Sequence, residues 1–149
     1  MNYQRLVIMA FVAFVVASYC FGYTPPLVGV VFFLASLLAY YYYAKDKKAA
    51  INSSWRVPEN KLHLLALCCG WPGALMAQEK LRHKTKKSGF RVVFWCTVFI
   101  NIASLVWIHT PQGEFHFRTG LNTLKNFASN YVKSDAINST VRFLTSYRA

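Results

Sequence analysis

Residues 58–81 read PENKLHLLALCCGWPGALMAQEKL, and the architecture turns on how this stretch is read. From Leu62 to Ala77 it is apolar, but Gly70-Trp71-Pro72-Gly73 interrupts it. Proline inside a helix removes a backbone hydrogen bond, and glycine loosens the turn. Basic residues stand on both sides: Lys45, Lys47 and Lys48 before it, and Lys80, Arg82, Lys84, Lys86, Lys87 and Arg91 after it. Residues 45–91 hold eleven Lys and Arg against three acids, +8 of a total net charge of +12. Lys and Arg collect in cytoplasmic loops, so both flanks belong on the same side of a membrane. A segment with both ends on one side cannot cross once. The charge rule therefore favours a re-entrant or interfacial hairpin of two half-helices, broken at Gly70–Gly73. The other reading is a kinked full span, with one basic loop on the wrong side. Cys69, Gly73 and Ala77 follow one another at four-residue intervals, as do Ala66, Gly70 and Ala74. Such rows of small residues suit close helix packing in a bilayer.

Three further apolar runs lie around this segment: Leu6 to Tyr23, Leu27 to Tyr43 and Val92 to Ile108. Each approaches the roughly 20 residues a spanning helix needs. The fold class expected is an all-α integral membrane protein: spans at about 6–23, 27–43 and 92–108, and a broken helical segment at 58–81. The membrane domain is then 1–108, and 109–149 is a polar, partly amphipathic tail. In the tail, Leu121, Leu124, Phe127, Ala128, Tyr131 and Val132 fall at helical spacing, with a weaker repeat through Ile137, Val141 and Leu144. Such a helix lies on the membrane surface or covers the bundle. The hairpin reading, with the N-terminus inside, puts the tail outside; the full span puts it inside. Composition agrees with lipid as solvent. Of 149 residues 55 % are hydrophobic and 15 % charged, against about 25 % charged in soluble domains.

The tyrosines Tyr40 to Tyr43 read as an interfacial belt. Cys20, Cys68, Cys69 and Cys96 form no C-x-x-C pair and read as buried small hydrophobes. Tyr19 precedes Cys20 where a lipoprotein signal would need a small residue, so the first run reads as a retained span.

Asp46-Lys47-x-x-Ala50, Trp55-Arg56-x-Pro58-Glu59, Gly70-x-x-Gly73 and His83-Lys84-Thr85-x-Lys87-x-x-Phe90 together resemble a small prokaryotic membrane family. It is catalogued as domain of unknown function 1294, and the resemblance covers about 36–108. The family usually has Gly-Gly where this chain has Cys69-Gly70. Some relatives carry an N-terminal cold-shock domain; here an apolar span takes that place, so nucleic-acid binding does not carry over. The resemblance implies a membrane fold and the bacterial inner membrane, and it implies no activity.

The candidate site lies in this stretch. Arg56, Arg82, His83, Lys84, Lys86, Lys87 and Arg91 are candidates for holding anionic lipid headgroups or a phosphate. Asp46, Lys47, Pro58, Glu59, Gly70 and Gly73 are candidates for framing it. Near an anionic leaflet each Lys or Arg adds about 1 kcal/mol of attraction. Phe90, Phe94 and Trp95 belong in lipid, whereas nucleic acid would want exposed aromatics among the cations. Glu59 and His63 are four apart, as are Glu79 and His83, and each pair can touch on a helix. No H-E-x-x-H or other zinc motif appears, and no metal or cofactor is expected. Salt bridging is the simpler reading, with Asp46–Lys47 and Arg56–Glu59 tying loops to helix ends. His109 and His116 read as solvated.

Three functions stay open. The first is an accessory or structural protein with a basic cytoplasmic face meeting anionic lipid or a protein partner. The second is a small oligomeric transporter or channel with Gly70–Gly73 lining the path. The third is a membrane enzyme with Glu79 and His83 as acid–base groups and Arg56 and Lys84 holding an anion. The enzyme reading is the least favoured.

Overall fold

The computed structural model describes residues 3–81, 88–132 and 134–148. Among them the regular structure is entirely helical: α1 (Tyr3–Cys20), α2 (Pro26–Ile51), α3 (Glu59–Leu65), α4 (Trp71–Leu81), α5 (Ser88–Ile108), α6 (Pro111–Tyr131) and α7 (Asp135–Leu144). Three of these, α1, α2 and α5, are long and apolar enough to cross a membrane. This is an all-α membrane protein. The helices outrun the apolar runs. α2 continues through Lys45–Lys48 to Ile51, and α5 begins at Ser88. Hydropathy marks where lipid is, while backbone hydrogen bonding continues into water.

The chain divides into two compact units, one of Met1–Val12 with Val30–Ile102 and one of Ala13–Gly29 with Ala103–Ala149. The tail shares a unit with the α1–α2 turn.

In the first unit, α3 and α4 are separated by a wide turn at Ala66–Gly70. The break falls at Cys68 (φ −78°, ψ 49°) and Cys69 (φ 66°, ψ 2°), two residues before the Gly70–Gly73 position expected. Trp71, Pro72 and Gly73 instead open α4. Pro72 is tolerated there because first-turn N–H groups have no intrahelical acceptor.

The course of α4 follows from its contacts with α2. A Cβ on Gly73 would overlap the Ser36 carbonyl and lie 2.6 Å from the Ser36 Cα. Gln78 lies beside Tyr43. The Lys47 ammonium donates to the Leu81 carbonyl. Partners at 36, 43 and 47 meet 73, 78 and 81, so α4 runs parallel to α2. The chain enters α3 from the same end of α2, because Arg56 and Val57 both bond Asp46. Both outer ends of the α3–α4 segment thus lie at the Asp46–Lys47 end of α2. Its bend lies near Ala35, Ser36 and Ala39. That course is a hairpin.

α1 joins this unit through Phe11, whose ring is 4.7 Å from Trp71 and 4.9 Å from Phe32. The buried interior is Phe32, Ala39, Tyr43, Leu62, Ala66, Trp71, Ala74, Leu75, Ala77, Phe90, Phe94 and Val98. Tyr43 is therefore a core residue and not part of an interfacial belt; Tyr41 does face outward. Four successive residues span more than a full helical turn, so they cannot share one face. The cysteines also differ from expectation. Cys20, Cys68 and Cys96 are exposed on the protein, and Cys69 is half-buried. In a bilayer an outward face is already apolar, so a small hydrophobe gains little by turning inward.

In the second unit, Thr110 caps α6 by accepting from the Gly113 N–H (3.2 Å), and Pro111 fills the first turn. α6 starts about ten residues ahead of the periodic stretch at 121–132. It buries Gly113, Leu121 and Ala128, while Leu124, Phe127 and Tyr131 are exposed. α7 returns along α6. There Asn138 donates to the Val132 carbonyl (2.9 Å), and the Arg118 guanidinium sits 3.9 Å over the Tyr147 ring.

Candidate functional site

Asp46 organises the open end of the hairpin. It is on α2, one turn past Tyr43, and fully buried. Its carboxylate accepts from Arg56 Nε (3.3 Å) and Nη2 (3.1 Å), and from the Val57 N–H (3.1 Å). A buried carboxylate is tolerated only when paired and bonded in this way. The bond to Asp46 and the charge of that carboxylate raise the Arg56 pKa above its ordinary value. The pair's contribution from Arg56 is thus lost only as pH rises through that raised value. Glu59 adds a weaker attraction to the same guanidinium. Of the pairings expected from neighbours in sequence, Arg56–Glu59 is present but second to Arg56–Asp46. Arg56 serves Asp46 first, and Lys47 reaches over to the last carbonyl of α4, where a cation also complements the helix dipole.

Glu79 is held by Arg5 (2.7 Å), and its carboxylate is almost wholly covered. This partner comes from α1 and was not anticipated. An acid–base role for Glu79 would have to compete with that ion pair. His63 is half-buried, with its ring 4.2 Å from Phe90, which in turn lies 6.2 Å from Tyr43. Pro58 precedes the first turn of α3 without a side-chain cap, and Glu59 occupies that turn.

The bend is closed by packing. Gly70 and Gly73 let α4 approach the α2 backbone. A Cβ on Gly70 would lie 2.5 Å from the Leu65 oxygen and 2.8 Å from that of Ala35. Breaking a helix leaves carbonyls without donors. Asn101 of α5 supplies one: its Nδ2 donates to Leu67 O (2.9 Å) and Ala66 O (3.4 Å), and to Thr97 O of its own helix (2.8 Å). Asn101 is the one amide side chain in the 92–108 span, and that was the available signal in the sequence. The face of Gly70 and Gly73 is filled by α2 backbone.

The charges at the open end are sorted by exposure. Asp46 and Glu79 are covered and paired, whereas Lys45, Lys48, Arg56, Lys61, Lys80 and Arg91 are exposed. Beside Arg56, Trp55 is 94 % exposed. Arg82, His83, Lys84, Lys86 and Lys87 lie outside the described residues. Among the described residues no three His, Cys, Asp or Glu side chains converge as metal ligands would.

A second polar cluster lies in the other unit. His109 Nδ1 is 2.7 Å from the Leu105 carbonyl, which can only accept, so Nδ1 carries a proton. Its Nε2 is 2.7 Å from Ser18 Oγ, which is 2.9 Å from Thr24 Oγ1. Phe14 and Tyr23 flank the ring. His109 is therefore a bonded structural histidine and not a solvated one. His116 stacks on Trp107. Ser18 and His109 are far apart in sequence, and no spacing rule links them.

A family-model match falls on the hairpin. No solved structure matches the chain. The uncharacterized protein YsdA of Bacillus subtilis (strain 168) is 33 % identical over 58 residues, which are 39 % of this chain and 65 % of that protein. The chain thus spans just under two thirds of this relative. Residues 36–90 match the model of a family described as protein of unknown function (DUF1294). The matched stretch opens at Ser36, against which Gly73 packs, and closes at Phe90, against which His63 packs. Over the hairpin and its supports, then, the chain resembles the DUF1294 family.

Proposed function

We propose that this protein is a membrane-embedded accessory protein whose hairpin end binds anionic lipid headgroups on the cytoplasmic side. The observation that carries this reading is the sorting of charge around Asp46. Two of the three acids of that end, Asp46 and Glu79, are covered and paired with Arg56 and Arg5, Glu59 is half-buried in the first turn of α3, and the outward surface is dominated by cations and Trp55. Tryptophan with cations is the composition of a headgroup layer. In this reading α3 and α4 enter from the cytoplasmic face and return to it, and α5 carries the chain across once more. The tail then lies outside. The resemblance to a prokaryotic family supports the bacterial inner membrane. A conducting path along Gly70–Gly73 has less support, since that face is occupied by α2. A protein partner could use the same cationic surface; the charge pattern favours lipid because Trp55 stands among the cations.

The test compares lipids on the purified full chain. Phosphatidylglycerol should raise the melting temperature more than phosphatidylcholine. The excess should shrink in salt, which screens exposed charge. It should also shrink when Lys84, Lys86 and Lys87, or Lys45, Lys48 and Lys80, are changed to Gln. Equal stabilisation by the two lipids, or an excess untouched by these changes, would overturn the reading.

A further inference from the structure

Beside Gly120 lies a groove that no site above accounts for. Its volume is about 510 Å³, and its walls are Leu27, Trp107, Ile108, Phe117, Leu121 and Leu124. Leu27 lies in the first turn of α2, and Trp107 and Ile108 end α5. Both helices are of membrane-crossing length and hydropathy. The groove is therefore continuous with faces whose solvent is hydrocarbon. Its α6 wall follows the helical repeat at Phe117, Leu121 and Leu124, the apolar stripe of an amphipathic helix. On that wall Gly120 leaves a gap, since a Cβ there would meet nothing within 4 Å.

We infer that this groove holds one acyl chain of a membrane phospholipid. No Lys, Arg, Asp or Glu lines it, so it suits the alkyl chain and not the headgroup. Its volume falls within the roughly 300–1,000 Å³ of small-molecule pockets. Its polar lining is Ser104 and His116, whose ring stacks on Trp107 at 6.2 Å with 12° between the planes. A chain laid under α6 gives Leu124, exposed beside the buried Leu121, the contact that the protein itself leaves out. The inference concerns the second unit and does not depend on the cationic end around Asp46.

Gly120→Phe should fill the groove from its open side. The full chain is extracted from phosphatidylcholine bilayers, washed in mild detergent and weighed by native mass spectrometry. The wild type should keep one phospholipid per chain, and Gly120→Phe should lower that adduct roughly tenfold or more. Phe115→Ala, at an exposed α6 position outside the groove, should keep it. Melting curves verify that both variants fold, and Gly120→Ala, a smaller plug, should give an intermediate loss. Phosphatidylglycerol and phosphatidylcholine should be retained alike, which separates this site from headgroup binding. A wild type without bound lipid, or a Gly120→Phe chain that keeps it, would overturn the inference. A dimer abolished by Gly120→Phe with lipid retention unchanged would assign the groove to a second copy and overturn it equally.

Discussion

Gly73 and Gly120 both sit inside helices, and neither has a left-handed backbone. At Gly73 there is no room for a single carbon, because the Ser36 backbone fills the place. At Gly120 a Cβ would meet nothing within 4 Å. The hairpin is thus built by backbone approach, with Ala66, Ala74 and Ala77 fully buried around it. The α6 region is built by a larger apolar stripe that is left partly uncovered. The first arrangement fixes one geometry; the second leaves an open groove beside Gly120.

The sharpest way to break this comparison is Gly73→Val. Forcing α4 off α2 should cost about 3 kcal/mol or more, at or above the upper end of overpacking. Such a loss would show as a collapse in monodisperse yield and melting temperature in detergent. Full stability would mean that the two helices are not in backbone contact.

The next largest effects concern polar groups that the hairpin conceals. Asn101→Leu leaves Ala66 O and Leu67 O without a side-chain donor at the break. The expected loss is about 2 kcal/mol, since buried orphan groups cost roughly 1–3 kcal/mol. Asp46→Ala should cost a similar amount, about 2 kcal/mol. It removes the acceptor of the Val57 N–H and the partner of Arg56. The figure stays below that for a fully buried pair because the Arg56 side chain is half exposed. Asp46→Asn should recover part of the loss by still accepting from Val57. Thermal melts of the three variants against the wild type measure both effects.

These residues also mark where the sequence was legible and where it was not. Three apolar runs and an interruption near Gly70 are visible because transfer into lipid depends on local composition alone. The direction of a side chain around a helix is not, which is why Tyr43 reads as belt and proves to be core. Proximity in sequence suggests charge pairs between neighbours, Asp46 with Lys47 and Arg56 with Glu59. Hydrogen-bond geometry prefers Arg56 on Asp46, because the loop brings a two-pronged donor and a backbone N–H to one carboxylate. Arg5 on Glu79 and Ser18 on His109 depend on helices meeting, and one sequence without covariation holds no record of that. The largest basic cluster, Arg82 to Lys87, could be read for charge but lies outside the described residues.

Cys69 tests the bend itself. Its φ of +66° is left-handed, a region that costs a non-glycine residue roughly 1–2 kcal/mol. The resembling family usually has glycine at this place. Cys69→Gly should therefore raise stability by about 1 kcal/mol, the relief of strain less the entropy glycine loses on folding. A rise of a few degrees in melting temperature, unaffected by thiol reductant, checks it. Cys69→Val should fall by a similar amount, because a β-branched residue fits that conformation worse.

The smallest effect returns to the open glycine. Gly120→Ala places a methyl group in free space and removes a flexible residue from a helix interior. Helix propensity alone predicts a gain of about 0.5–1 kcal/mol. Nothing opposes it sterically, since outside the adjacent backbone of its own helix no atom lies within 4 Å of the new carbon. The same substitution at Gly73 gains as much propensity and loses far more by overlap, so the two alanine variants should shift the melting temperature in opposite directions. A drop for Gly120→Ala in delipidated detergent would mean that α6 closes onto α5 there. A rise in detergent that shrinks when phospholipid is added back would instead mean that the methyl group and the bound chain compete for one volume.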